Sequence, residues 1–95
     1  MNYDVLVIQE HDDNVAVALR NITAGEILVF QVQGTVQKLH ALQDIPIYHK
    51  ISLIPLEQAA PVIKYGETIG YASCPIPAGC HVHDHNMSSF LITKN

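Results

Sequence analysis

Three histidines alternate with other residues in His81-Val82-His83-Asp84-His85, and Asn86 follows them. Side chains on a strand point to its two faces in turn. A strand here therefore puts His81, His83 and His85 on one face and Val82 and Asp84 on the other. Neutral imidazole is a ligand for zinc, iron, nickel or copper. Alternate strand residues stand ~6.6–6.8 Å apart, and the outer pair ~13 Å apart. A metal–nitrogen bond is only ~2 Å long. Two neighbouring histidines can thus close on one ion, and all three only where the strand bends or ends near His85. Asn86, a turn former, permits such an ending. The opposing reading is a solvated strand face whose imidazoles bond to neighbours or water.

A His-x-His pair cannot complete a metal site alone. His11, His49, Asp12 and Asp13 are the candidate further donors within the chain, although His11-Asp12-Asp13 also reads as a polar turn ahead of a strand. Lys50 follows His49, and Lys64 lies in Val62-Ile63-Lys64-Tyr65-Gly66. A lysine beside histidines can hold a carboxylate as a point charge. The competing reading makes both lysines solvent-facing strand residues. Nucleophile-elbow, P-loop and dinucleotide fingerprints are missing from the sequence. Cys80 adjoins His81, but adjacent strand residues face opposite ways, so the two make a poor catalytic dyad.

The elements that must position these groups are short apolar or alternating runs broken by turn residues. Residues 3–9, 14–19, 26–32, 35–39, 49–54, 61–66, 68–72 and 81–85 read as strands. Such even spacing predicts an all-β fold with little or no helix. Residues 56–60 allow one helical turn, which Pro61 would stop. Lys64 to Gly70 reads as a hairpin with Gly66 at its tip, and Gly70 marks a bulge or a close backbone approach. Ile-x-Ala-Gly followed by a strand occurs twice, at 22–25 and 76–79. Each glycine supplies a cheap positive φ before the chain enters a strand, and the repetition suggests pseudo-symmetric halves.

The 95 residues suffice for one domain with a modest core. Apolar residues make up 48% and charged ones 15%, a globular balance. The net charge is −4, and the five Lys and Arg form no cluster, which argues against a nucleic-acid partner. No apolar run is long enough for a membrane helix. Two cysteines, Cys74 and Cys80, and no visible export signal predict a reduced, cytoplasmic setting.

Several strings, "DNVAVAL" (13–19), "AGE" (24–26), "HK" (49–50), "VIKYGETIG" (62–70) and "AGCHVHDHN" (78–86), resemble the small N-terminal domain of the altronate and galactarate dehydratases. The similarity runs from about residue 11 to residue 87. That domain belongs to the SAF group, so the resemblance implies a compact β-clip and a single SAF-like domain over residues 1–95. The same unit resembles the alpha subunit of sulfolactate sulfo-lyase. Three positions depart from the family pattern: Tyr48 and Ala60 stand where glycine is expected, and Ser52 where a small apolar residue is expected.

The resemblance implies a small subunit of a metal-dependent sugar-acid dehydratase, inactive without a large catalytic subunit. It also implies a divalent metal, iron or manganese, shared with that partner. His81, His83 and His85 would lie at the metal or substrate. Lys50 and Lys64, with His49 beside them, would meet the carboxylate of a sugar acid, and Asn14 would position a hydroxyl. The alternatives are a sulfo-lyase alpha subunit that expels sulfite from a sulfonated hydroxy acid, and a non-catalytic β-clip module that binds a carbohydrate or a protein. A cupin-like barrel also uses His-x-His, but the other strings do not fit it. An isolated subunit is expected to self-associate through the surface meant for its partner.

Overall fold

Alternating β-branched and apolar residues become strands because one of their faces can be buried. A computed structural model describes residues 5–6, 12–32 and 34–90. Among the described residues the strands are β1 (Val5–Leu6), β2 (Val15–Ala18), β3 (Ile27–Val32), β4 (Thr35–His40), β5 (Lys50–Ser52), β6 (Pro61–Lys64), β7 (Glu67–Ala72), β8 (His81–Val82) and β9 (Met87–Ser88). All pairings are antiparallel. One sheet has the order β1-β2-β5-β8, β3 and β4 form a ribbon, and the third sheet runs β6-β7-β9. The fold is all-β, as the sequence predicts, with no helix among the described residues.

The four-stranded sheet separates two cores. Ala16, Ala18 and Ile51 lie in one core with Ile22, Leu28, Phe30 and Ile45. Val15 and Val82 join Leu56, Val62, Ala72 and Ile76 in the other. The strand pleat explains the partition, since Val15 and Ala16 are neighbours that point opposite ways. Ile45, Ile51, Val62 and Val82 are fully buried. Each such side chain contributes about 1.5–3 kcal/mol. Ser52 is also fully buried, and its hydroxyl donates to the Ile54 carbonyl, so a polar residue is accommodated where an apolar one is expected.

Among the described residues the repeated turn occurs four times rather than twice. Residues 18–26, 41–49, 52–60 and 72–80 each leave a strand, pass through one bridging residue and close a turn. The bridges are Ile22 with Ile45 and Leu56 with Ile76. Three residues after each bridge the backbone turns left-handed, at Gly25 (φ 96°), Tyr48 (69°), Ala59 (72°) and Gly79 (88°). One residue later an N–H donates back three residues, from Glu26, His49, Ala60 and Cys80 to Thr23, Pro46, Glu57 and Pro77. Positive φ at the third of four residues is what a type II turn requires, and glycine meets that requirement without strain.

Two expectations change here. The segment 56–60 forms the third of these turns instead of a helical turn. The missing glycine before β6 is Ala59, one residue ahead of the expected Ala60.

The Lys64–Gly70 hairpin is present, with positive φ at both Tyr65 (54°) and Gly66 (78°). The Asp13 carboxylate accepts the N–H groups of both tip residues, at 2.9 and 2.7 Å. Gly70 serves both anticipated purposes. A register shift falls beside its partner Val62, and a Cβ at Gly70 would come 2.7 Å from the Ser88 carbonyl oxygen. Only glycine lets β9 lie this close to β7. Of the expected strand at 3–9, Val5–Leu6 is described, and the rest lies outside the described residues.

Candidate functional site

The strand expected at 81–85 stops after Val82, and the chain turns through Asp84 to Asn86. Asn86 causes the stop. Its amide oxygen accepts the His83 N–H at 2.9 Å, its amide nitrogen donates to the His81 carbonyl at 2.7 Å, and its own N–H donates to the His83 carbonyl at 3.0 Å. A continuing strand would keep His83 and His85 in step on the face of His81. The turn ends that alternation after His83.

β8 pairs with β5 through Lys50 with Val82 and Ile51 with His81. Continuing that register places His83 opposite His49, the closing residue of the second repeated turn. The His49 and His83 rings stack at 4.1 Å with 17° between their planes. His81 lies 5.0 Å from His49 and 5.6 Å from His83, centroid to centroid. His49 Nδ1 and His81 Nε2 are 2.8 Å apart, so one ring donates to the other. One ring nitrogen from each of His49, His81 and His83 falls within 4.8 Å of the others. His85 stacks on His81 at 5.0 Å, tilted 38° and exposed, outside that set.

The electrostatics favour the neutral form of His81. Burial lowers the His81 pKa most, and the charges of His85, His49, His83 and Lys50 lower it further, to about 4. A neutral ring is the form that ligates a metal. His83 Nδ1 is buried and has no hydrogen-bond partner. A buried polar atom without a partner costs about 1–3 kcal/mol, and an ion reached by that lone pair would remove the cost. These residues fit a divalent transition metal. Three imidazoles suit iron or zinc better than manganese, which prefers oxygen donors.

The other expected residues have different surroundings. Lys50 is half-buried, and strand alternation puts it on the opposite face of β5 from His49 and Ile51. Burial lowers its pKa most, Lys64 lowers it further, and Asp84 acts the other way. The Lys64 ammonium lies 5.2 Å from the centre of the Tyr65 ring. Asn14 bonds its amide to β6, donating to the Pro61 carbonyl at 2.9 Å and accepting from the Ile63 N–H at 2.7 Å. His11 lies outside the described residues. Cys74 and Cys80 are both free, the first exposed and the second buried.

Sequence reasoning missed two side chains that touch the site backbone. Gln43 accepts the His81 N–H at 3.0 Å. Asn86 was legible as a turn former, yet its grip on both His81 and His83 was not. The grouping of His49 with His81 spans 32 residues of sequence and depends on the β5–β8 register.

Comparison with known proteins bears on what this geometry serves. Residues 4–90 match the family profile described as the altronate/galactarate dehydratase SAF domain. The chain is similar to altronate dehydratase of Escherichia coli (strain K12), with 45% identity over 79 residues, 83% of this chain. The corresponding enzyme of Bacillus subtilis (strain 168) is 39% identical over 79 residues. In both cases the match spans 15% of the relative's length. The (2R)-sulfolactate sulfo-lyase subunit alpha of Chromohalobacter salexigens is 34% identical over 86 residues, covering 87% of this chain and 92% of that subunit.

Proposed function

The chain belongs to the altronate/galactarate dehydratase SAF-domain family, and from that premise we propose that it is the small component of a metal-dependent sugar-acid dehydratase. His49, His81 and His83 would hold the divalent metal, and a larger catalytic polypeptide would supply the rest of the pocket. The observation that carries this reading is the convergence of three imidazole nitrogens within 4.8 Å, with His83 Nδ1 buried and unpartnered. The proposed set differs from the His81, His83 and His85 that the family resemblance implies, and it takes in His49, one of the candidate further donors.

The reaction class sets the demands. A proton next to a carboxylate is weakly acidic, so negative charge that develops on its removal must be stabilised, and the β-hydroxyl must be helped to leave. A bound divalent ion would supply Lewis acidity for those charges. The chain's own residues do the positioning. His49 and His81 orient each other through their ring nitrogens, His83 would close the third side, and the half-buried cluster would limit water. Lys50 faces away from the imidazoles, so a carboxylate held by Lys50 and Lys64 would be bound apart from them.

The test is metal titration of the purified chain followed by turnover with its partner. Wild type should bind one Fe(II) or Co(II) per chain, and His83→Ala should bind at least tenfold more weakly. Equal uptake by the two proteins would remove His83 from the site. The chain alone should not turn over altronate or galactarate, whereas robust turnover without a partner would contradict the subunit reading.

The sulfo-lyase reading is favoured by a different observation, the 92% coverage of the alpha subunit. Substrate decides between them. With the large partner present, water loss from a sugar acid supports the dehydratase, and sulfite release from (2R)-sulfolactate supports the sulfo-lyase.

A further inference from the structure

β8 is the edge of its sheet, with β5 on one side only. An edge strand leaves alternate N–H and C=O groups unpaired, and these must find other partners. At His81 both open groups are taken by side-chain amides, the N–H by Gln43 and the carbonyl by Asn86. Asn86 also takes the next exposed donor, the His83 N–H. One side chain thus spans the backbone on both sides of Val82. It is only 7% exposed, and its main chain is tied at both ends, to His83 through its N–H and to the Ser73 N–H through its carbonyl. Nothing in this arrangement is free to slide.

We infer that Asn86 is a positioning residue that sets the mutual orientation of the His81 and His83 imidazoles. This inference rests on the metal-site reading above for its consequence, but its geometric content stands without it. The amide is the right group because two different atoms are needed 2–3 residues apart on one backbone, an acceptor for an N–H and a donor for a carbonyl. Asp offers the first only, and Ala offers neither. With the amide gone, the His83 N–H loses the bond that holds its backbone in register beside His49, and the 4.1 Å stack loosens. Side chains that orient metal ligands typically change affinity by about 10–100-fold.

Asn14 provides an internal control. It is also 7% exposed, and its amide also bonds one carbonyl and one N–H, but both belong to β6, away from the cluster. Asn86→Ala, Asn86→Asp and Asn14→Ala should each be compared with wild type in two measurements on the whole chain. The first is Co(II) titration followed by visible absorption. Asn86→Ala should bind about 10–100-fold more weakly with an altered ligand-field spectrum, and Asn86→Asp should fall between it and wild type. Asn14→Ala should lower the melting temperature while leaving the spectrum unchanged.

The second measurement is long-range 1H–15N correlation of the imidazoles in metal-free protein. Asn86→Ala should shift the His49 and His83 ring nitrogens, and Asn14→Ala should not. Wild type that binds no cobalt would overturn the metal reading, and the ring-nitrogen shifts would then decide the role of Asn86. Unchanged ring signals in Asn86→Ala, or cobalt affinity within twofold of wild type with the same spectrum, would overturn the positioning role. If Asn86→Ala does not fold, the Asn86→Asp spectra decide it in the same way.

Discussion

Turns 18–26 and 41–49 form one bonded pair, and turns 52–60 and 72–80 form the other. Within each pair one copy carries glycine at the left-handed position, and the other carries a residue with a Cβ. Gly25 is matched with Tyr48, and Ala59 with Gly79. The two copies of each pair also differ in the residues just beyond the turn. Tyr48 leads to His49 and Gly79 leads through Cys80 to His81, whereas Gly25 and Ala59 lead to Glu26 and Ala60. The imidazole cluster is therefore built from one turn of each pair. The scaffold is repeated four times among the described residues, and the imidazoles gather only where two of the copies meet across β5 and β8.

The comparison is broken most severely at Gly79. A Cβ there would run into the His40 carbonyl oxygen, in addition to the strain of its positive φ. We expect Gly79→Ala to cost about 3 kcal/mol or more, read as a lost or much earlier urea transition. Acid comes next and acts on the junction through His81. In the unfolded chain a histidine takes up its proton near pH 6.5, but folded His81 does so only near about 4. Between those values the unfolded state holds more protons. Stability from neutral His81 is therefore complete above pH 6.5 and is lost as pH falls toward 4. Urea midpoints in chelator should fall across that window, and His81→Gln should flatten the fall.

Gly25→Ala tests the same φ where the surrounding space is open. It should cost only the left-handed strain, about 1–2 kcal/mol. The smallest effects run the other way. Tyr48→Gly and Ala59→Gly relieve strain but free the unfolded chain, for a net gain of about 0.5 kcal/mol each. A loss of stability at Tyr48→Gly would mean that its ring packs usefully, although it is 72% exposed.

Much of the scaffold could be read from residue order. β2 to β7 coincide with the expected runs because alternation and turn residues are local signals. Where a distant partner decides, the reading fails. Nothing near Ala59 announces a left-handed turn, since the Leu56–Ile76 bridge fixes it there. β9 is only two residues long, and it forms because Gly70 lets the chain approach β7. The His-x-His string and the candidate donor His49 could be named from residue order, but their meeting could not. His49 enters through the β5–β8 register, and His85 is turned aside by the bonds of Asn86. Asn14 suggested a hydroxyl-binding group because its type allows that role, and residue order could not show that its amide also bonds the β6 backbone.

The two cysteines provide a clock for the fold. Cys74 is exposed and should react with a thiol reagent at once, whereas Cys80 is buried and burial raises its thiol pKa. Because Cys80 directly precedes His81, its labelling can proceed only as fast as the backbone around the cluster breathes open. The slow phase of a simple dye reaction therefore reports how often the imidazole junction comes apart, and its slowing on addition of a ligand would register what seals it.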